Sequence, residues 1–514
     1  MKKYKLLSWI FLPFIMSACN GWLDVKPEDE IDENDLFETG IGYRHALNGV
    51  YFALGDINLY GKHLSWGIVD AMGQCYTYAN AGNGAKEMQF GASRYDWDHQ
   101  YIEPCIESIW KKTYNAVANC NNIIQNIAND DPEKFDYKEK EKCMIWGEAL
   151  ALRAYLQFDM LRLFAPAPST NPGNRLFIPY VSEYPVYVSK ALTVDSCLNN
   201  VIRDLKNAKD LVWKADSGRT CRKSTFWEVG ESDMGLFYDN KRGFRLNYYA
   251  ISAVLARVYM YAQQTENAYK EAKALIDFAE KNRVFEIDYY DMEYYGDFKS
   301  YGDMLWGLEA VDLLDFETAV NSVDNSDNPL YIGVAGAKIN FWGDDIQVDN
   351  EETCNDLRFV NWVSRLDDYY KTYKFTKYAQ RFATNNGTEI GNTLVPMIRM
   401  SEMYYIAAEA IYKTDLTAAK EYLLTVKEGR GLSSSDQSIR NVNAANESNF
   451  LNILQNDARR EWLGEGQIFY MYKRLNQNIP SVDPNKPAEE SYQEIKAEEK
   501  NFVIPMPNIE TDLM

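Results

Sequence analysis

Apolar positions recur at helical spacing along much of the chain. Trp110, Tyr114, Val117, Ile124 and Ile127 lie three or four residues apart, or multiples of that, and mark the buried stripe of one helix. A second helical pattern over 141–164 stops at Phe164-Ala165-Pro166-Ala167-Pro168, because proline has no N–H to continue the ladder. Similar periodicity predicts helices over 194–213, 246–263, 265–281, 396–413, 416–428 and 450–474, with Thr193 and Asp195 placed to cap the first. Two of these pairs share a layout. Leu255, Ala256, Tyr259 and Ala268 in one, and Ile406, Ala407, Ala419, Leu423 and Val426 in the other, follow the apolar and small positions of a tetratricopeptide unit of about 34 residues. Small residues there let the two helices of a hairpin approach closely. The pattern predicts a mainly α fold: tetratricopeptide-like helix pairs forming a scaffold, with long irregular excursions containing a few short strands.

Segments 60–107 and 282–395 break the helical pattern, being rich in Gly, Asn, Asp and Tyr. They read as excursions from a scaffold that occupies about 35–60, 108–281 and 396–476. Leu305 to Val311 reads as a strand inside the second excursion, which makes Trp306 structural. Loops on a rigid frame are where binding groups concentrate.

The N-terminus has its own logic. Lys2, Lys3 and Lys5 precede an apolar stretch, Leu6 to Met16, too short to span a bilayer, and then the small residues Ser17 and Ala18. Residues 1–18 therefore read as a secretory signal peptide. Met16-Ser17-Ala18-Cys19 resembles the lipobox of bacterial lipoproteins, which implies that Cys19 is lipidated and that the mature chain is tethered to a membrane. Asn20 to Asn34, acidic and containing Pro27, reads as an extended leader.

Charge narrows the partners. The chain carries 54 Lys+Arg against 75 Asp+Glu, a net −21. Loss of residues 1–18 removes three lysines and no acid, giving −21 − 3 = −24. That balance and the lack of a basic run argue against nucleic-acid binding, which needs clustered cations on phosphates. The cysteines beyond Cys19 contain no C-x-x-C, and they read as buried thiols rather than a disulfide framework.

No catalytic signature is present: there is no H-E-x-x-H, G-x-S-x-G or P-loop. His45, His63 and His99 are isolated, and no metal or other cofactor is expected. Asp344-Asp345 and Glu351-Glu352 could in principle flank a glycosidic bond, but in so acidic a chain such adjacency arises by chance. Asp324 to Asn328 lacks the Gly and terminal Glu of a calcium loop. Aromatics are the unusual feature, at 14% with 37 Tyr and 12 Trp. Sugar rings stack C–H faces on aromatic rings while amides and charged groups bond the hydroxyls. Tyr76, Tyr78, Tyr95 and Trp97 in the first excursion, Tyr289, Tyr290, Tyr294 and Tyr295 in the second, and Trp342 beside Asn340 are interleaved with polar residues in that way. The candidate ligand-binding set is Tyr76, Tyr78, Trp97, Tyr294, Tyr295 and Trp342.

Several blocks together resemble one family. Trp22-Leu23-Asp24-Val25-Lys26-Pro27 and Leu47-Asn48-Gly49-Val50-Tyr51 are similar to its two opening motifs. Trp110, Tyr114 and Asn119 to Asn122 resemble its next helix. Glu148-Ala149, Leu152-Arg153-Ala154-Tyr155, Phe158-Asp159 and Arg162-Leu163-Phe164 resemble the one after it. Ile398-Arg399-Met400-Ser401-Glu402-Met403-Tyr404, Ala408-Glu409-Ala410, Arg459-Arg460-Glu461-Trp462 and Ile504-Pro505-Met506-Pro507 supply the later blocks in order. The family is SusD/RagB, nutrient-binding lipoproteins of Bacteroidota. Gly464 to Tyr470 departs from its usual terminal block. The resemblance implies that 19–514 forms a single body with about four tetratricopeptide-like helix pairs, an outer-membrane, lipid-anchored location facing the cell exterior, and a SusC-like TonB-dependent outer-membrane transporter as partner. It implies capture of glycan and its delivery to that channel; the same architecture binding peptide, or serving as a structural lid, remains open, with a glycoside hydrolase less favoured.

Overall fold

The computed structural model describes residues 33–78, 85–185, 189–217, 242–294, 299–310, 313, 330–343, 345, 354–367, 372–375, 377–378 and 393–507. The signal peptide, Cys19, Tyr295, Asp344, Glu351, Glu352 and the 324–328 run lie outside the described residues. The main helices are α1 (Gly40–Leu54), α2 (Ile68–Met72), α3 (Ala85–Ser93), α4 (Ile102–Ala128), α5 (Lys138–Phe164), α6 (Val194–Asp216), α7 (Tyr248–Tyr261), α8 (Thr265–Asn282), α9 (Met400–Ile411), α10 (Leu416–Glu428), α11 (Gln437–Ala444), α12 (Glu447–Glu461) and α13 (Ile468–Leu475). From α4 to α10 each packs on the next, α8 meeting α9 across the second excursion. This is the quasi-linear stacking of helical repeats. The paired small and apolar positions, among them Ala256, Ala268, Ala407 and Ala419, are fully buried, so the tetratricopeptide-like layout is the packing layout.

Local chemistry sets the boundaries. Thr193 caps α6 by accepting from the Ser196 N–H at 3.2 Å. Ala165, which precedes Pro166, is extended at φ −130 and ψ 154 and ends α5. Two expected helices differ. Leu394 to Arg399 is a strand: Val395 pairs with Leu308, Pro396 with Gly307 and Ile398 with Trp306 of the 304–309 strand before α9 begins. The 450–474 pattern splits into α12 and α13, since Gly464 and Gly466 adopt φ +85 and +69. A Cβ on Gly466 would lie 2.4 Å from the Leu64 carbonyl oxygen, so glycine is needed there. The first excursion, in turn, contains α2 and α3, too short to show a periodic stripe.

Short strands join the excursions to the scaffold. β1 (Met304–Glu309) runs antiparallel to β5 (Leu394–Arg399). The antiparallel sheet of β2 (Tyr331–Ile332), β3 (Val363–Asp367) and β4 (Thr372–Phe375) has β4 in the middle. β6 (Ile479–Val482) and β7 (Tyr492–Ile495) form a C-terminal hairpin. Trp306 on β1 is fully buried, as its strand position predicted.

Helix α5 is buried on nearly every side from Glu141 onward, so its charged motif residues must be compensated internally. Glu148 pairs with Arg242 and Arg245 and accepts from the Tyr51 hydroxyl at 2.9 Å. Arg153 reaches Asp204 and, at 2.9 Å, Asn121. Asp159 accepts from Tyr60 at 2.7 Å and pairs with Arg162, whose guanidinium stacks 3.8 Å over the Tyr470 ring. A larger buried network crosses to the second excursion. Arg358, Arg399, Arg430, Arg460, Lys377 and Lys427 face Asp303, Asp345, Asp356, Asp457, Glu461 and Glu465, each ion paired with at least one of the others. Asp345, one of the carboxylates considered for hydrolysis, is therefore tied to Arg460. Among the described residues the cysteines are unbridged, and Cys75, Cys105, Cys120, Cys143 and Cys197 are buried.

His63 is enclosed beside α2, and burial, assisted by Lys62, pushes its pKa down to about 3. Its folded pKa lies below the unfolded value, so its neutral form favours folding above about pH 6.5 and that contribution is lost as pH falls toward 3. Between pH 7 and pH 5 the loss amounts to about 2 kcal/mol. Urea unfolding at both pH values is expected to show His63→Gln losing about 2 kcal/mol less than the parent over this interval; equal losses would contradict the assignment.

Candidate functional site

The segment Gln74 to Tyr78 follows α2 without regular secondary structure and is held on both flanks. The Thr77 N–H donates to the Tyr331 carbonyl at 2.8 Å, and Thr77 Oγ1 accepts from the Gly333 N–H at 3.1 Å. Asn340 Nδ2 donates to the Gln74 carbonyl at 3.3 Å. On the other flank, the Ser481 hydroxyl of β6 donates to Gln74 Oε1 at 2.7 Å. Gln74 Nε2 in turn donates to the Ser93 carbonyl at 2.8 Å, drawing the end of α3 onto the same frame. Gln74 and Tyr95 both adopt left-handed φ, 58 and 57, an uncommon conformation for residues other than glycine.

These contacts leave an open cleft of about 640 Å³ between 74–78, the 93–95 turn and the β6–β7 hairpin with its extension to Asn501. Tyr76, Tyr78 and Tyr95 meet on its floor, so three of the aromatics singled out in the first excursion converge. The Tyr76 hydroxyl donates to the Trp66 carbonyl at 2.9 Å and the Tyr95 hydroxyl to the Met72 carbonyl at 2.6 Å. Burial raises the pKa of both phenols, which keeps them neutral donors. Tyr76 and Tyr78 are only 4% and 5% exposed, so they present edges to the cleft rather than broad stacking faces. The walls are polar: Arg94, Asp483, Asn485, Gln493, Glu494, Lys496, Glu498, Lys500 and Asn501. Lys496 and Lys500 are paired with Glu494 at 3.5 Å and Glu498 at 2.9 Å.

Trp97 lies on the far side of this wall. Its indole N–H donates to the Lys500 carbonyl at 2.8 Å, its ring is 5.9 Å from that of Tyr95, and it lines a separate notch of about 150 Å³ with Glu103, Pro505 and Met506. Trp342 does not join the site. It is fully buried in a wide helical turn, 337–342, packed on Phe341 and Phe359, and so has no face for a ligand. Its turn supports the cleft from beneath through Asn340, whose carbonyl accepts from Arg459 Nε at 3.0 Å. Asn340, the polar neighbour that made Trp342 look loop-borne, is itself buried. Tyr294 ends a short helix, Tyr289–Tyr294; its side chain and all of Tyr295 lie outside the description, while Tyr289 and Tyr290 are exposed with rings 5.9 Å apart.

Sequence reasoning missed the C-terminal wall. The turn signal Asp483-Pro484-Asn485-Lys486-Pro487 between two short alternating stretches marks a hairpin, but nothing local says that it folds against residue 74. Among the described residues no group of His, Cys, Asp and Glu could hold a metal ion, and no helix is long and apolar enough to cross a membrane. The cleft offers amide, carboxylate and cationic hydrogen-bonding groups over an aromatic floor, which suits a polyhydroxylated or extended polar ligand.

A stacked-helix scaffold carrying a side cleft built from its excursions is an architecture of helical-repeat type with an open polar cleft. Comparison gives the family. A model described as starch-binding, associating with outer membrane, of the SusD-like group, matches residues 21–222, and the SusD family model (SusD/RagB) matches 361–513. The chain belongs to the SusD/RagB family. A SusD-like protein of Formosa agariphila is 22% identical over 211 residues, so the match spans 41% of this chain and only 38% of that relative. A solved structure described as a putative sugar binding protein from Bacteroides vulgatus superposes with TM-score 0.67 at 20% identity, covering 92% of this chain and 96% of that one. A SusD superfamily protein from Bacteroides fragilis gives 0.64 at 15% identity, with 93% and 99% covered. A SusD-like carbohydrate binding protein from Bacteroides vulgatus gives 0.60 at 17%, with 89% of each chain covered.

Proposed function

We propose that this protein captures oligosaccharide in the cleft between 74–78, 93–95 and the β6–β7 hairpin, and passes it to a SusC-like TonB-dependent channel. The observation that carries the reading is the cleft itself, which brings a tyrosine floor and side-chain amides from distant parts of the chain to one open site. Relatives described as starch-binding, sugar binding and carbohydrate binding support the ligand class. The sequence around Cys19 and the outer-membrane association in the family description support a lipid-anchored protein at the cell surface, its 19–514 body serving as one unit. The protein works as a binder, with no chemistry asked of its side chains.

Calorimetry of the lipid-free protein against neutral and acidic oligosaccharides and against mixed peptides tests this. Saturable binding of at least one glycan with intact sugar recovered afterward is expected. Binding of peptides alone would replace glycan by peptide as cargo, and release of shorter sugars would reinstate a hydrolase.

A further inference from the structure

One cation of the cleft is fixed in place without being neutralised. Arg94 is exposed on the cleft wall between Ser93, whose carbonyl is bonded by Gln74, and Tyr95, whose backbone is left-handed and whose hydroxyl is bonded to Met72. Its guanidinium lies 4.3 Å from the centroid of the Phe90 ring. The backbone is thus clamped on both sides and the side chain is stacked on one face. The nearby lysines differ, because each has a carboxylate partner. Among the described residues Arg94 makes no ion pair, in a chain where acids outnumber bases by 75 to 54.

A guanidinium stacked on a ring keeps its in-plane N–H donors available. Those donors match the two oxygens of a carboxylate side by side. Because it is already oriented, little freedom is lost on binding. Resting on the glycan reading above, we propose that the cleft selects oligosaccharides bearing a carboxylate, that is, uronic acid residues, and that Arg94 receives that group. The net acidity of the chain does not forbid this. Charges more than about 8 Å away are largely screened at physiological salt, and the cleft's own lysines offset its acids. Asp483, Glu494 and Glu498 on the same walls do set a limit. They repel a densely charged polymer, so the fit is to one carboxylate per site among neutral hydroxyls.

The test uses the whole lipid-free chain and a panel of galacturonate-, glucuronate- and mannuronate-containing oligosaccharides, each beside its carboxyl-reduced counterpart. At least one acidic member is expected to bind ten-fold or more tightly than its reduced form. Arg94→Gln should collapse that preference to within about two-fold, and Arg94→Lys should fall between. Since Arg94 lies on the surface, circular dichroism of the variants should match the parent. Equal affinity for acidic and reduced sugars, or a preference that survives Arg94→Gln, overturns the inference and leaves glycan capture standing. Failure of every oligosaccharide to bind overturns both.

Discussion

Replacing Glu461 with alanine is expected to destabilise the protein by about 3–5 kcal/mol, the loss typical when one partner of a buried ion pair is removed. Glu461 is fully buried and receives Arg358 at 3.1 Å, Arg430 at 2.6 Å and Arg399. Burial alone would raise its pKa, yet Arg399 and Arg430 hold it well below the usual carboxylate range. Stability from this group is therefore complete above about pH 4.5 and falls as acid protonates it in the unfolded chain first. Alanine leaves Arg358 with Asp356 and Asp457, Arg399 with Glu465 and Asp303, and Arg430 with Asp303 alone. The urea midpoint at pH 7 measures the cost. A change under about 1 kcal/mol would mean that the remaining carboxylates suffice, against the three-cation arrangement seen around Glu461.

Trp306→Ala is expected to cost about 3–5 kcal/mol by the usual scale for large aromatic truncations in a core. The ring is fully buried and meets Tyr155 of α5 edge-on, with centroids 5.0 Å apart and planes at 82°. Its strand β1 pairs with β5, and the neighbouring Leu305 carbonyl accepts from Asn247 at the start of α7 at 3.3 Å. The cavity would thus open where the second excursion is joined to two scaffold helices. Thermal unfolding should shift down cooperatively. A protein whose stability is unchanged would place Trp306 outside the load shared by β1 and α5.

The scaffold was legible because its signals are local. Thr193, the prolines after Phe164 and the alanines of the helix hairpins each act within a few residues, and the helices at 194–216, 138–164 and 416–428 follow from them. Family motif residues were legible as a set, but their physical work was not: Glu148, Arg153, Asp159, Arg399 and Glu461 have partners far along the chain, as Asp159 with Tyr60 and Arg399 with Glu461 show. The cleft was half legible. Tyr76, Tyr78 and Tyr95 stood out as aromatics among polar residues, whereas the wall from 482 to 501 reaches them only through long-range pairing such as Ser481 with Gln74. Trp342 misled because an aromatic beside Asn looks loop-borne; the burial of Asn340, whose carbonyl accepts from Arg459, reverses that reading.

Hydrogen–deuterium exchange of the lipid-free chain, with and without a saturating oligosaccharide, locates the binding site most directly. Slowed exchange concentrated in 74–78, 93–95 and 482–501 is the predicted result. Slowed exchange confined to other segments, with these three unchanged at saturation, would contradict the assignment of the cleft.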